Sequence, residues 1–226
     1  MKHDSFNESA EMYLKTVSEL ADRDTLVPIS AVAERLGVSA VSATEMVHRL
    51  QEHGLVCHRP YKGVGLTESG RTQAAGVVRS HRLWESFLVE RLGLPWDAAH
   101  EYACRLEHAA APEVIEALDV YLGRPALCPH GNPIPAADGA MTSPSGCPLT
   151  GMSAGATSVI IAIHPETDDL LRYLAGLGLV PGQLITLREI APFHGPLVLL
   201  AGDQVHYLGA EAAAHIFVRP ANEVTQ

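Results

Sequence analysis

The chain is short of aromatic residues, with four Phe, two Trp and six Tyr among 226, and no apolar run approaches the roughly 20 residues that span a bilayer. Met1-Lys2-His3-Asp4 lacks the apolar core of a signal peptide. A membrane span is therefore excluded, and the expectation is a soluble, cytoplasmic protein. Cysteine is sparse too: Cys57, Cys104, Cys128 and Cys147 form no CxxC pair, which excludes a dense disulfide framework and fits individual reduced thiols. Basic residues are in deficit, 16 against 26 acidic, for a net charge of -10. That balance argues against indiscriminate nucleic-acid binding, but not against binding that must first be switched on. With 47% hydrophobic residues over this length, the chain can build two or three small cores. It contains no tandem repeat.

The most informative stretch is His100-Glu101-Tyr102-Ala103-Cys104-Arg105-Leu106-Glu107-His108. At about 100° per residue, His100, Cys104, Glu107 and His108 share a helix face. Their mixed N, O and S donors suit an intermediate divalent metal such as Fe(II), Mn(II), Co(II), Ni(II) or Zn(II), where a hard-cation cage would be all oxygen. Taken alone, the nine residues would equally make a half-buried face with a core Cys, a satisfied His and a surface Glu.

Upstream, a capping box at Ser5 to Glu8 starts a helix with Met12, Tyr13, Val17 and Leu20 on one face, ending near Asp22. A short helix from Ala31 to Leu36 stops at Gly37, and Ser39 caps a third from Ala40 to about His53. Leu55 to Cys57 and Val64 to Leu66 pair as strands around the basic turn Arg59-Pro60-Tyr61-Lys62-Gly63. Helix-turn-helix plus wing reads as a DNA-binding domain. Ser39, Ser42, Thr44 and Arg49 suit phosphate and hydroxyl contacts, Glu45 could accept from a cytosine amine, and Arg59 and Lys62 make the wing basic. The same residues would also form an ordinary solvated face. Glu45, Glu52 and Glu68 offset much of the positive charge between Arg35 and Arg71, so unaided DNA binding should be weak.

A long helix is expected from Glu68 to Leu92, with His81 and Glu85 one turn apart, and another from Pro112 to Leu122. From Arg124 to about Ser153 the chain is rich in Pro, Gly and Ser and reads as a linker. Cys128-Pro129-His130 within it is weak as a metal motif. Strands at Ser158 to Ile163, Leu184 to Glu189, Leu197 to Leu200, Gln204 to Leu208 and His215 to Val218, with a helix at Thr167 to Ala175, give the pattern of a small barrel.

Glu11-Met12-Tyr13-Leu14, Ala33-Glu34-Arg35-Leu36, Gly70-Arg71, Ser80-His81-Arg82-Leu83-Trp84-Glu85, Cys104-Arg105-Leu106-Glu107-His108 and His130-Gly131-Asn132-Pro133-Ile134-Pro135 occur in this order. In that order the chain resembles the diphtheria toxin repressor and iron-dependent regulator family along its whole length. The resemblance implies a mainly α fold with small β parts. A winged helix-turn-helix would occupy residues 1–74, a helical dimerisation and metal-binding domain 75–138, a linker 139–153, and an SH3-like β-barrel akin to ferrous-transport modules 154–226. It further implies a metal-activated repressor of metal-homeostasis genes, binding a palindromic double-stranded operator as a homodimer. By motif, Met12, Cys104, Glu107 and His108 resemble the activating site, and His81, Glu85 and His100 an ancillary site. Pro165-Glu166-Thr167-Asp168-Asp169 matches the region that adds two further ligands, which points to Glu166 and Asp169. Asp169 stands where iron-type members carry Gln, which hardens that site toward Mn(II), whereas Met12 with Cys104 is the softer, iron-type pair. Fe(II) is favoured and Mn(II) is next, with Co, Ni, Zn and Cd expected to substitute in vitro. Near Val41 and at Glu45 the chain departs from the iron-type pattern of Pro and Gln, so the operator does not transfer. The competing classes are a zinc metalloenzyme, against which stands the lack of an HExxH motif, and a metal storage or delivery protein, which would not explain the winged helix.

Overall fold

The computed structural model describes residues 5–21, 25–140, 146–193 and 195–221, with side chains described from Glu8 onward. The side chains of Ser5 to Asn7 in the expected capping box lie outside the described residues, and the first helix ends at Leu20, short of the end expected near Asp22. The chain forms two compact units, Met1–His81 with Glu107–Ala110 and Pro135–Met141, and Arg82–Leu106 with Ala111–Ile134 and Thr142–Gln226.

In the first unit α1 (Ser5–Leu20), α2 (Ile29–Leu36) and α3 (Ala40–Glu52) precede β1 (Val56–Arg59) and β2 (Gly63–Leu66), followed by the start of α4 (Glu68–Glu90). Gly37 ends α2 in the left-handed conformation, φ 66°, which costs glycine no Cβ clash. Ser39 caps α3, its hydroxyl accepting from the Ser42 N–H at 3.1 Å. The wing is antiparallel, Val56 opposite Leu66 and Arg59 opposite Gly63. One aliphatic core, including Leu14, Val17, Val32, Ala43, Val47, Leu50 and Val64, joins these elements. Lys15 and Thr16 are buried with it, so α1 is enclosed on more than its apolar stripe. Gly70 explains its own place in the sequence: a Cβ there would lie 1.9 Å from the Leu55 carbonyl oxygen, so only glycine lets α4 start so close to the strand.

In the second unit, α5 (Ala99–Leu106) and α6 (Pro112–Leu122) accompany the rest of α4. Pro112 opens α6 and Gly123, φ 83°, closes it. Leu88, Ala99 and Ala103 make a small core with Trp84 and Leu106. The C-terminal part has β3 (Cys147–Pro148), a 3-10 turn over Leu149–Gly151, β4 (Thr157–Ile163), α7 (Asp168–Gly176), β5 (Leu184–Ile190), β6 (Leu197–Ala201), β7 (Gln204–Leu208), α8 (Ala210–Ala214) and β8 (Ile216–Pro220). The core sets Ile160, Ile163, Leu171, Leu174, Ile185, Leu187, Leu199 and Val218 between sheet and helix.

The expected C-terminal barrel is not formed. The sheet is a six-stranded, open, antiparallel one in the order β3-β8-β4-β5-β6-β7. Closure would need its two edges to pair. One edge, β3, is two residues long and half of it is Pro148, which has no N–H to donate; among the described residues the other edge, β7, pairs only with β6. Alternating hydrophobicity reveals which side of a strand is buried and says nothing about whether the end strands meet.

Candidate metal centres and DNA-reading surface

In the first unit, charged side chains converge on Glu107, the residue after α5. Lys15 of α1 donates from Nζ to Glu107 Oε2 at 2.7 Å and lies 3.1 Å from His81 Nδ1 of α4. His81 Nδ1 is itself 2.5 Å from Glu107 Oε2. One ring nitrogen cannot accept from the ammonium and donate to the carboxylate together, so Nζ and Oε2 share it as alternatives. The other carboxylate oxygen faces His108 Nε2 at 3.2 Å, and His108 Nδ1 contacts Glu11 Oε2 at 2.6 Å. Burial raises the Glu107 pKa, but the close approach of His108 and His81 and the charges of His81 and Lys15 outweigh it and hold the group well below the usual carboxylate range. Burial likewise disfavours the His108 imidazolium, yet Glu107 and Glu11 win and raise its pKa to about 9. Glu107 Oε1 and His108 Nε2 are buried and near each other without an aligned hydrogen bond. Two converging donor atoms that do not satisfy one another fit a cation ligand.

The second unit builds a different cluster. Glu85 of α4, His100 of α5, Cys128 and His130 of the loop after α6, and Glu166 before α7 are all buried. Ligand atoms of Glu85, Cys128, His130 and Glu166 lie within 4.8 Å of one another. His100 Nδ1 is 3.0 Å from Glu85 Oε1 and 3.7 Å from Glu166 Oε2; His130 Nδ1 is 3.1 Å from the same Glu85 oxygen. His130 Nε2 lies 3.0 Å from the Trp96 carbonyl, so it donates there and leaves Nδ1 pointing at the carboxylates, which is how a ligating imidazole is oriented. Burial opposes charge on His130, but Glu85, Cys128 and Glu166 together keep its pKa well above the ordinary value. Burial, reinforced by Glu85 and Glu166, pushes the Cys128 thiol up to about 11. Two carboxylates, an imidazole and a thiol make an intermediate donor set that fits Fe(II), Mn(II) or Zn(II).

Contacts remote in sequence assemble this loop. Ile163 N–H donates to the His130 carbonyl at 2.9 Å, and Asn132 Nδ2 donates to Ile163 O at 2.8 Å and also to Glu166 Oε1. Gly131 has φ 83°, and a Cβ there would fall 1.9 Å from the Ile161 carbonyl oxygen. The Gly-Asn pair of the sequence motif thus lays the loop on β4 and aims Glu166.

Of the residues singled out from sequence, Glu85, His100 and Glu166 come together in the second unit and Glu107 and His108 in the first; His81 of α4 contacts Glu107. Met12 is half-buried on α1, and Cys104 Sγ lies 3.8 Å from His100 Nε2. Asp169 is turned outward on α7, its side chain 95% exposed and 3.3 Å from Arg172. Glu11 and Lys15 escaped sequence reasoning, although they flank Met12 and stand one turn apart. Cys128 and His130 sat in a stretch read as linker.

On the candidate DNA-reading face, Ser39, Ser42, Glu45 and Arg49 at α3 and Arg59 and Lys62 on the wing are exposed. Thr44 is half-buried and returns its hydroxyl to the Ala40 carbonyl at 2.7 Å, so its reach is shorter. Val41 is 69% exposed on this face and Tyr61 projects fully from the wing tip; neither was a contact candidate from the sequence.

Residues 5–64 match the iron dependent repressor N-terminal DNA binding domain, 67–136 the iron dependent repressor metal binding and dimerisation domain, and 147–220 the FeoA domain. The iron-dependent repressor IdeR of Mycobacterium tuberculosis is 33% identical over 210 residues, covering 87% of this chain and 90% of its own. The chain belongs to the iron-dependent, diphtheria toxin repressor family of metal-dependent transcriptional repressors. The diphtheria toxin repressor of Corynebacterium diphtheriae is 37% identical to this repressor over 179 residues, 74% of this chain and 79% of its own. Among solved structures, a manganese-dependent transcriptional repressor in complex with manganese aligns with TM-score 0.83 at 36% identity, covering 93% of this chain and 99% of that one. ScaR with bound Zn2+ aligns with TM-score 0.83 at 31% identity over the same shares. The repressor is thus a metal-dependent DNA-binding regulator, and the zinc-enzyme alternative falls with membership. Among the described residues, no helix is long and apolar enough to cross a membrane.

Proposed function

We propose that this repressor is a cytoplasmic, Fe(II)- or Mn(II)-activated homodimer that binds a palindromic operator and silences metal-uptake genes. The observation that carries it is the convergence of Glu85, Cys128, His130 and Glu166 within ligand distance in a buried site. A bound divalent ion supplies charge neutralisation and a fixed coordination geometry for donors that otherwise repel. Glu85 and Glu166 would give the oxygen ligands, His130 would present Nδ1 because Trp96 holds Nε2, and Cys128 would contribute sulfur as its thiolate, its proton released to solvent when the ion binds. In the first unit Glu107 and His108 are the ligands and Glu11 orients His108. Glu107 meets α1 through Lys15, so the arrangement there acts on the helix that packs beneath α2 and α3 in the shared core. Relatives carry both iron and manganese names; with Asp169 turned to solvent, the thiol of Cys128 weighs the choice toward Fe(II), with Mn(II) second.

Activation requires the metal to bind the DNA-competent state more tightly than the other. Two recognition helices in a dimer would enter major grooves about 34 Å apart or a multiple of it. The test is retention of genomic DNA fragments by the repressor with chelator, anaerobic Fe(II), Mn(II) or Zn(II). Selective retention of a palindromic fragment with Fe(II) or Mn(II) is expected. Retention that ignores the metal would defeat the proposal.

A further inference from the structure

We propose that Lys15 is a tethered cation that competes with the metal ion for Glu107 and so sets the concentration at which this centre fills. The inference rests on the reading of Glu107 and His108 as metal ligands. Lysine is rarely buried unless paired, and Lys15 is only 5% exposed, with Nζ 2.7 Å from one oxygen of a carboxylate whose side chain is wholly enclosed. His81 Nδ1 lies 3.1 Å away, so an imidazole and a carboxylate surround the ammonium as they would surround a metal. The second oxygen of Glu107 faces His108 Nε2 at 3.2 Å.

The carboxylate therefore sits between two cation positions, and the chain fills one of them itself. That has two consequences for a dication on the His108 side. It meets a carboxylate whose charge is already partly neutralised, and it stands about a carboxylate's width from a fixed positive charge in a poorly screened interior. The Lys15 ammonium must be tolerated or swung aside when a dication binds on the His108 side. A Lys15 that served only as a strut for Glu107 would act in the opposite sense, because its loss would disorder the ligand and weaken binding.

Mn(II) titration of the full chain by calorimetry separates the two. The step to follow is the one that His108→Ala removes. Lys15→Met is expected to tighten that step at least about tenfold, and Lys15→Arg, which keeps the charge, to stay within about threefold of the parent. Lys15→Gln, which keeps a polar end for Glu107, must move in the same direction as Lys15→Met. As an independent readout, Mn(II) should raise the melting temperature of Lys15→Met more than that of the parent protein. Unchanged or weaker binding by folded Lys15→Met and Lys15→Gln, with His108→Ala still losing a step, overturns the competitor role alone. If His108→Ala removes no step, the ligand reading itself fails and the inference goes with it.

Discussion

The two carboxylate clusters use the same residue types and differ in what stands opposite the acids. Glu85 and Glu166 face imidazoles, His100 and His130; Glu107 faces the His108 imidazole on one oxygen and, on the other, the His81 imidazole together with the ammonium of Lys15. The difference is chemical. An imidazolium becomes a ligand by losing a proton, so on metal binding the second-unit cluster would pass from an internally paired state to a coordination shell with its members in place. The Lys15 ammonium adds a positive charge beside the carboxylate, which an incoming ion must tolerate or displace. The second-unit cluster should accordingly fill first, and the Glu107–His108 centre only at higher metal concentration, the order a regulator needs if one ion is structural and the other is sensed.

The sharpest way to break this contrast is to remove each acid in turn. Glu107→Gln leaves the buried Lys15 without its carboxylate and should destabilise the metal-free first unit by about 3–5 kcal/mol, read by urea unfolding, as expected when one partner of a buried pair is lost. The same change should abolish metal-stimulated DNA binding. Glu166→Ala should instead weaken the tighter Mn(II)-binding step by about 100-fold or more in calorimetry, in line with loss of a direct or supporting ligand contact, with little change in metal-free stability. Gly131→Ala sharpens the contrast from the backbone side, since its Cβ has no room beside Ile161: the tight step should be lost while the His108-dependent step persists.

Acidity separates the contributions further. His108 has its folded pKa raised from 6.5 to about 9, so its stabilisation is complete below the unfolded value and disappears as pH rises through about 9. Glu107 is depressed below its unfolded 4.5, so its stabilisation is complete above that value and disappears on acidification. The metal-free protein should therefore be most stable between these limits, near pH 5 to 6. Metal binding should show the opposite slope, since Mn(II) displaces a proton from His108: up to about pH 9 the apparent affinity should rise about tenfold per pH unit for each proton released. A pH-independent affinity would mean that His108 is not a ligand. The smallest effect is expected at Ser39→Ala, which removes the α3 cap at a cost of about 1 kcal/mol and should reduce DNA affinity without shifting either metal step; Arg49→Ala should behave likewise on metal.

The winged helix was legible because its punctuation is local: Gly37, Ser39 and the turn at Pro60 to Gly63 decide their boundaries within a few residues. The strand segments of the C-terminal part were legible for the same reason, but the barrel was not, because closure depends on edges that meet or miss at a distance. Half of the site was legible as spacing on α4 and α5. The other half, Cys128 and His130, lies in a Pro- and Gly-rich segment whose order comes from Ile163 and Asn132, more than 30 positions apart in the case of the Asn132 bond to Glu166. Lys15 and Glu11 were hidden for a different reason. Charged residues on a helix normally face water, and only the burial of α1 on several sides reveals them as part of a centre. Asp169 shows the converse: motif position made it a ligand candidate, whereas its side chain is exposed and paired with Arg172.

The central claim is that metal acts on DNA binding through the Glu107–His108 centre. The most direct measurement is a single anaerobic titration in which bound metal and retention of the selected palindromic fragment are recorded together. DNA binding that rises with the weaker, His108-dependent step is the predicted result. DNA binding that is complete once the tighter step has filled, or that is unchanged in His108→Ala, would contradict the account.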